Sequence, residues 1–301
     1  MSRIHEALKK AEQERAVVLN SATDAAPPVQ HAPTMVPQSP APAHFLRSSD
    51  LSYDLIQQGA RRVAWNLDLQ KLIFATSRSD RGAAPGSEEF RTLRSRLYQI
   101  RDRQPLQSIV VTSALPAEGK TFVSANLANV IIRQHERRAI LVDGDLRWSR
   151  LHLTLGAPVK PGLTDYLLGE ADLLEVIQRG PFDNLYFIPG GRPVSNPAEL
   201  IAGERMRELM KVLPPLFDWV ILDSPPAVPV ADASLLADLC DGVLMVVRSA
   251  VTPFDMAQRA VSEFREKHLI GVVLNDVESR EGYSSYYYNY YHGKDSKNGR
   301  H

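Results

Sequence analysis

Ile109-Val110-Val111-Thr112-Ser113-Ala114-Leu115-Pro116-Ala117-Glu118-Gly119-Lys120-Thr121 is the stretch that decides the fold. Its first five residues make a run of strand length without the polar alternation of a half-wet strand. A loop follows, and Gly119-Lys120-Thr121 opens a pattern that reads as a helix over 120–135. Strand, loop and Gly-Lys-Thr at a helix start are the parts of a phosphate cradle, the P-loop. Backbone N–H groups at the helix N-terminus would face the phosphates, where the helix dipole favours negative charge. Lys120 would neutralise β- and γ-phosphate oxygens, and the Thr121 hydroxyl would ligate Mg²⁺. Ala114 stands where the general pattern has its first glycine. Taken alone, the stretch is also compatible with an ordinary strand-to-helix turn.

Two further segments narrow that choice. Ile140-Leu141-Val142-Asp143-Gly144-Asp145-Leu146-Arg147 is an apolar strand closing on two carboxylates, with Gly144 allowing a tight turn. Two such carboxylates beside a nucleotide can hold Mg²⁺ through its waters or take a proton from an attacking hydroxyl. Trp219-Val220-Ile221-Leu222-Asp223-Ser224-Pro225-Pro226 is a second apolar strand ending in an aspartate, the form of a Walker B Mg²⁺ carboxylate. The plain alternative for the first is a helix N-cap and for the second a strand-end turn. All three in this order form a nucleotide site.

Around these segments, strands alternate with helices from about residue 70. The expected strands are Leu72–Thr76, Ser108–Ser113, Ala139–Asp143, Leu185–Pro189, Trp219–Asp223, Gly242–Arg248 and Gly271–Asn275. Helical patterns occupy 88–102, 120–135, 198–213, 231–239 and 255–267. Repeated β-α-β units imply a doubly wound, mostly parallel sheet of the P-loop NTPase (deviant Walker ATPase-like) type. Ligands in such sheets bind beyond the C-terminal ends of the strands. The expected division is an N-terminal helix over 1–19, a Pro/Ala-rich linker over 20–50, a nucleotide-binding domain over 51–282 and a Tyr-rich tail over 283–301. Residues 21–44 hold six prolines and few bulky apolar side chains, too little to offset ordering entropy.

Composition removes several classes. The 35 basic and 35 acidic side chains cancel, so overall charge gives no reason to expect nucleic acid as a partner. A lone cysteine, Cys240, excludes a disulfide framework within the chain. The charged start Met-Ser-Arg-Ile-His-Glu does not read as a secretory signal. No apolar run approaches the roughly 18 to 20 residues of a membrane span. The expected location is cytoplasmic, with any membrane association peripheral or through a partner.

The quoted residues resemble the bacterial tyrosine kinase (BY-kinase) family of exopolysaccharide systems. The resemblance spans roughly residues 70–291 and rests on Pro116–Thr121, Asp143–Arg147 and Leu222–Pro226. It extends to Gly162–Gly169, Asn196–Leu200, Glu88-x-x-Arg91-x-x-Arg94 and the tyrosine-rich C-terminus. It implies ATP and Mg²⁺ as cofactors, with Ala117, Glu118, Gly119, Lys120, Thr121, Phe122 and Asn275 at the nucleotide. Thr121, Asp143 and Asp223 would serve the metal, and Lys120, Asp143, Asp145 and Asp223 the chemistry. Glu88, Arg91 and Arg94 look like that family's oligomerisation motif, on a helix that Ser87 is placed to N-cap. A surface ion pair within the helix is the plain alternative. Implied partners are a transmembrane chain-length-determinant (Wzz-like) adaptor, other copies of the chain and a cognate tyrosine phosphatase. Ala117 and Ser224 depart from the family's usual glycine and threonine. If position 117 needs positive φ, alanine costs roughly 1 kcal/mol there.

Six of the ten tyrosines, Tyr283, Tyr286, Tyr287, Tyr288, Tyr290 and Tyr291, fall within nine positions. Small and charged neighbours suit accessible phosphoacceptors, although a sticky aromatic tail has the same composition. Two other functions share the motif order: a partition or division-site ATPase, and a nucleotide-binding regulator without catalysis. The first carries a signature lysine where this chain has Leu115, and the second has no need of Lys120, Asp143, Asp145 and Asp223 together.

Overall fold

The structure, a computed structural model, describes residues 51–73 and 85–278. The expected N-terminal helix, the linker and the six tail tyrosines lie outside those residues. The strands are β1 (Arg61–Arg62), β2 (Ser108–Ser113), β3 (Ala139–Asp143), β4 (Gln178–Arg179), β5 (Leu185–Ile188), β6 (Trp219–Asp223), β7 (Gly242–Arg248) and β8 (Leu269–Asn275). They form one sheet in the order β1-β4-β5-β3-β6-β2-β7-β8. Every pairing is parallel except β4 with β5.

The helices are α1 (Tyr53–Gly59), α2 (Ser87–Arg101), α3 (Lys120–Ile132), α4 (Leu151–Leu155), α5 (Leu163–Leu167), α6 (Leu173–Val176), α7 (Pro197–Ala202), α8 (Glu204–Val212), α9 (Asp232–Ala237) and α10 (Phe254–Glu263). They cover both faces of the central strands, which explains those unalternated apolar runs, whereas edge strand β8 leaves Val272 and Leu274 exposed. Val110, Ile140, Val142, Val220 and Leu222 enter one core with Ile201, Met206, Leu209 and Leu236. Their strand neighbours Ile109, Val111, Leu141 and Ile221 enter the other with Phe90, Leu97, Val123, Leu127 and Ile131. All five β3 and all five β6 residues are buried, so polar alternation would have cost desolvation on either side.

Several expected bounds shift. The helix expected over 198–213 is two helices, parted at Gly203, whose backbone is extended at ψ 163. Leu72 and Ile73, the described part of the expected strand Leu72–Thr76, are not strand. Asn126 of α3 ties that segment down instead, accepting from Ile73 N and donating to Lys71 O, each at 2.8 Å. Ser87 is the first residue of α2 and Gly86, at φ 87, is the cap, so the expected Ser87 cap is not formed. Two-residue β1 and β4 were not expected, because Arg61-Arg62 and Gln178-Arg179 carry no apolar signal.

Candidate active site

β2, β3 and β6 deliver their C-terminal ends to one place. Cα partners across the sheet include Val111 with Asp223 and Asp143 with Asp223. The loop leaving β2 turns into α3 through two residues with positive φ, Ala117 at 63° and Gly119 at 95°. Ala117 therefore does occupy the left-handed region, and the cost of about 1 kcal/mol applies. A side chain at Gly119 would collide with the Asn275 amide. Asn275, at the end of β8, donates from Nδ2 to Glu118 O at 3.0 Å. Glu118 is buried. Its carboxylate accepts from Leu115 N at 2.8 Å and from the Thr252 hydroxyl in the loop between β7 and α10. The loop is thus held from inside by Glu118 and from above by Asn275 and Thr252. Phe122 turns its ring away, edge-on to Phe90 with centroids 5.9 Å apart, which leaves its backbone N–H as its means of meeting phosphate.

Charged and hydroxyl groups converge behind the loop. Lys120 Nζ lies 3.2 Å from Asp145 Oδ2. The Thr121 hydroxyl donates to Asp223 Oδ2 at 2.6 Å, and Ser124 Oγ to Asp223 Oδ1 at 3.1 Å. Asp143 Oδ2 accepts from Ser149 Oγ at 2.7 Å and Leu151 N at 3.1 Å. Asp145 Oδ1 accepts from Trp148 N at 2.9 Å. Gly144 lets the turn close on β6, its N–H donating to Asp223 O at 2.8 Å, a position where a Cβ would lie 2.9 Å from that oxygen.

Burial sets the electrostatics. Burial and then the Asp223 charge lift Asp143 to about 7, against the Ser149 hydrogen bond that favours its ionised form. Burial also raises Asp223, with Lys120 and the Thr121 hydroxyl opposing it. Burial works against the Lys120 charge, but Asp223, Asp145 and Asp143 outweigh it and hold the ammonium above its usual range. One cation and three carboxylates in a dry setting leave net negative charge, which a further cation would offset.

The structure adds Ser124, Ser149 and Asp232, which sequence reasoning did not single out, and gives a partner to Arg147, quoted there only as the end of the Asp143–Arg147 motif. Ser124 and Ser149 hold Asp223 and Asp143, while Arg147 makes a two-point ion pair with buried Asp232, at 2.7 and 2.9 Å. Ser124 and Arg147 are ordinary polar residues whose partners lie 99 and 85 positions away, so no local spacing marks those contacts. Ser149 sits six residues from its carboxylate, and that spacing was the one readable signal.

The trio on α2 separates. Glu88 and exposed Arg91 pair with each other on the helix surface. Arg94 turns inward, and Nη1 donates to Val130 O in the last turn of α3 at 2.8 Å. Its partial burial, then the nearby Arg91 charge, lowers its pKa against the opposing influence of Tyr98. The family-like spacing therefore holds one surface pair and one inter-helix tie.

Known proteins give the context. No protein-family model matches the chain. It is 35% identical over 214 residues to the tyrosine-protein kinase wzc of Salmonella typhimurium, covering 70% of this chain and 30% of that one. It is 33% identical over 213 residues to the tyrosine-protein kinase YwqD of Bacillus subtilis, covering 70% of this chain and 88% of the relative. The match to the Salmonella protein is thus to less than a third of its length. Among solved structures, the kinase domain of the Escherichia coli tyrosine kinase ETK superposes with TM-score 0.63 at 27% identity, covering 76% of this chain and 94% of that domain. No described helix is long and apolar enough to cross a membrane. With the phosphate cradle, the three strand-end carboxylates and a relative matched over nearly its whole length, the chain belongs to the bacterial tyrosine-protein kinases.

Proposed function

We propose that the chain is an ATP-dependent protein-tyrosine kinase that phosphorylates its own C-terminal tyrosines, chiefly between copies, and regulates polysaccharide synthesis and export. The observation that carries this reading is the meeting of Lys120, Thr121, Asp143, Asp145 and Asp223 at the ends of β2, β3 and β6. In the proposed reaction a tyrosine Oη attacks the γ-phosphorus of ATP. A new O–P bond forms, the bond to the β,γ-bridging oxygen breaks, and ADP leaves. The hydroxyl proton passes to the Asp143/Asp145 pair, where a carboxyl lifted to about 7 suits a base working near neutrality. Lys120 and the α3 N-terminus stabilise charge on the phosphates.

Mg²⁺ would neutralise the phosphate oxygens and the carboxylates. The donor set suits it, because Thr121 and Asp223 are adjacent oxygen donors of the partial kind that Mg²⁺ takes beside phosphate and water. Glu88 and Arg91 form the proposed contact between copies. A transmembrane chain-length-determinant adaptor would hold the chain peripherally at the inner membrane face and stimulate it, and a cognate phosphatase would reset it. We place the kinase domain at 51–282. Incubation with ATP and Mg²⁺ followed by anti-phosphotyrosine blotting tests the reading. Lys120→Met is expected to cut labelling at least about a hundredfold with no loss of fold by circular dichroism. Undiminished labelling would defeat the site assignment.

A further inference from the structure

Residues 147–151 are fastened to the site at consecutive points. Arg147 is clamped on Asp232, Trp148 N on Asp145, and both Ser149 Oγ and Leu151 N on Asp143. Out of this rigid strap stands one indole. Trp148 is 66% exposed, whereas the other two tryptophans, Trp65 and Trp219, are 8% and 0% exposed. The Arg150 guanidinium lies 5.3 Å from the Trp148 ring, and Leu153 just beyond is 55% exposed. Single exposed apolar residues are ordinary, but a free indole whose own amide binds a reaction-centre carboxylate at 2.9 Å is not placed at random.

We propose that Trp148 is a positioning residue for the acceptor, a platform on which the ring of the incoming tyrosine packs while its hydroxyl meets the Asp143/Asp145 pair. This rests on the kinase reading. A tyrosine must bring Oη within hydrogen-bond reach of a carboxylate while its ring projects back toward the rim. Aromatic pairs settle with centroids roughly 4.5–7 Å apart, about the reach of an indole rooted beside Asp145. Because the strap is already fixed, little ordering is required on docking. Arg150 adds a cation next to the platform, suited to the phosphotyrosine product.

The test uses the full chain with its six tail tyrosines changed to serine, so that its own tail brings no ring to the platform, and a synthetic peptide of residues 279–301 as acceptor. Trp148→Ala is expected to raise KM for the peptide about tenfold, the factor that corresponds to loss of one aromatic contact, with KM for ATP unchanged. Trp148→Phe should restore most of the peptide affinity. An equal rise in KM for ATP, or no change in KM for the peptide, overturns the proposal. Acrylamide quenching reads Trp148 selectively, since the other indoles are buried. The tyrosine peptide should shield it about twofold, and ATP alone or a peptide with serine at all six positions should not. Shielding by ATP alone would make Trp148 part of the nucleotide site and overturn the platform. If the wild-type protein transfers no phosphate at all, the kinase reading fails, and quenching then decides the platform alone: no shielding by the tyrosine peptide overturns it.

Discussion

Asp143 sits where burial opposes its charge, and the consequence is a stability that depends on pH. Its folded pKa of about 7 lies above the ordinary 3.8, so the folded state binds more protons than the unfolded one between those values. The favourable contribution is full below about pH 4 and is lost as pH rises to about 7. Asp223 shifts in the same direction, while Lys120 stays charged throughout. The nucleotide-free protein should therefore melt at lower temperature at about pH 8 than at about pH 5. Asp143→Asn keeps the shape and can still accept from Leu151 N. It should flatten the decline and raise the melting temperature near pH 8 while removing activity. Calorimetry across that range checks this, and a parallel decline in the variant would place the dependence elsewhere. The main site carboxylates were legible from sequence because each closes an apolar strand. Ser149 had only its six-residue spacing from Asp143 to mark it. Ser124 and the Arg147–Asp232 pair were not legible, because a hydroxyl or guanidinium has no pattern until the chain folds back on it. Trp148 had no sequence signal for the same reason.

At the scale of elements, α2 shows what a spacing can and cannot say. Residues three apart share a helix face, and Glu88 with Arg91 forms the surface pair expected from that geometry. Arg94 shares the spacing, but its long stem reaches the neighbouring helix, where a carbonyl in the last turn of α3 has no partner further along the helix. A cation there also complements the helix dipole. Arg94→Ala should cost about 2 kcal/mol, or roughly 5 °C in melting temperature. Arg91→Ala should cost only a few tenths of a kcal/mol. Differential scanning calorimetry of the two variants distinguishes them, and equal losses would refute the division of labour. Arg91, not Arg94, is then the clean probe of contacts between copies. The strands that build the site were legible in the same way, through buried apolar runs. Two-residue β1 and β4 were hidden because polar residues build them, Gln178 Nε2 donating to Pro158 O and Arg179 Nη1 to Gln57 O, each at 2.8 Å, and Gly203 parts α7 from α8 without breaking the apolar periodicity.

For the molecule as a whole, the question is whose tyrosines reach whose site. β8 ends at Asn275, which touches the phosphate loop through Glu118 O, so the C-terminal segment is rooted beside its own nucleotide site. Positions 283 to 291 lie eight to sixteen residues beyond 275, a reach of at most about 28 to 56 Å at full extension. A domain of this size has a radius of gyration of about 17 Å, which for a uniform sphere puts touching copies roughly 45 Å apart. Transfer to a neighbour is then within covalent reach of Tyr288, Tyr290 and Tyr291 but strained for Tyr283 unless the two sites face one another. We propose transfer between copies, with the distal tyrosines labelled first. Each phosphate adds about −1.5 to −2 charges at neutral pH, so successive phosphates would repel one another and the carboxylates of the site, loosening the association. The test mixes Lys120→Met protein, tyrosines intact, with active protein whose six tail tyrosines are phenylalanine. The inactive copy should acquire phosphate at a rate that rises with concentration, earliest at Tyr290 and Tyr291 by mass spectrometry. Glu88→Ala with Arg91→Ala in both copies should slow it severalfold while leaving the melting temperature almost unchanged. An unlabelled inactive copy, alongside wild-type self-labelling that ignores concentration, would make the transfer intramolecular and rule out the exchange between copies.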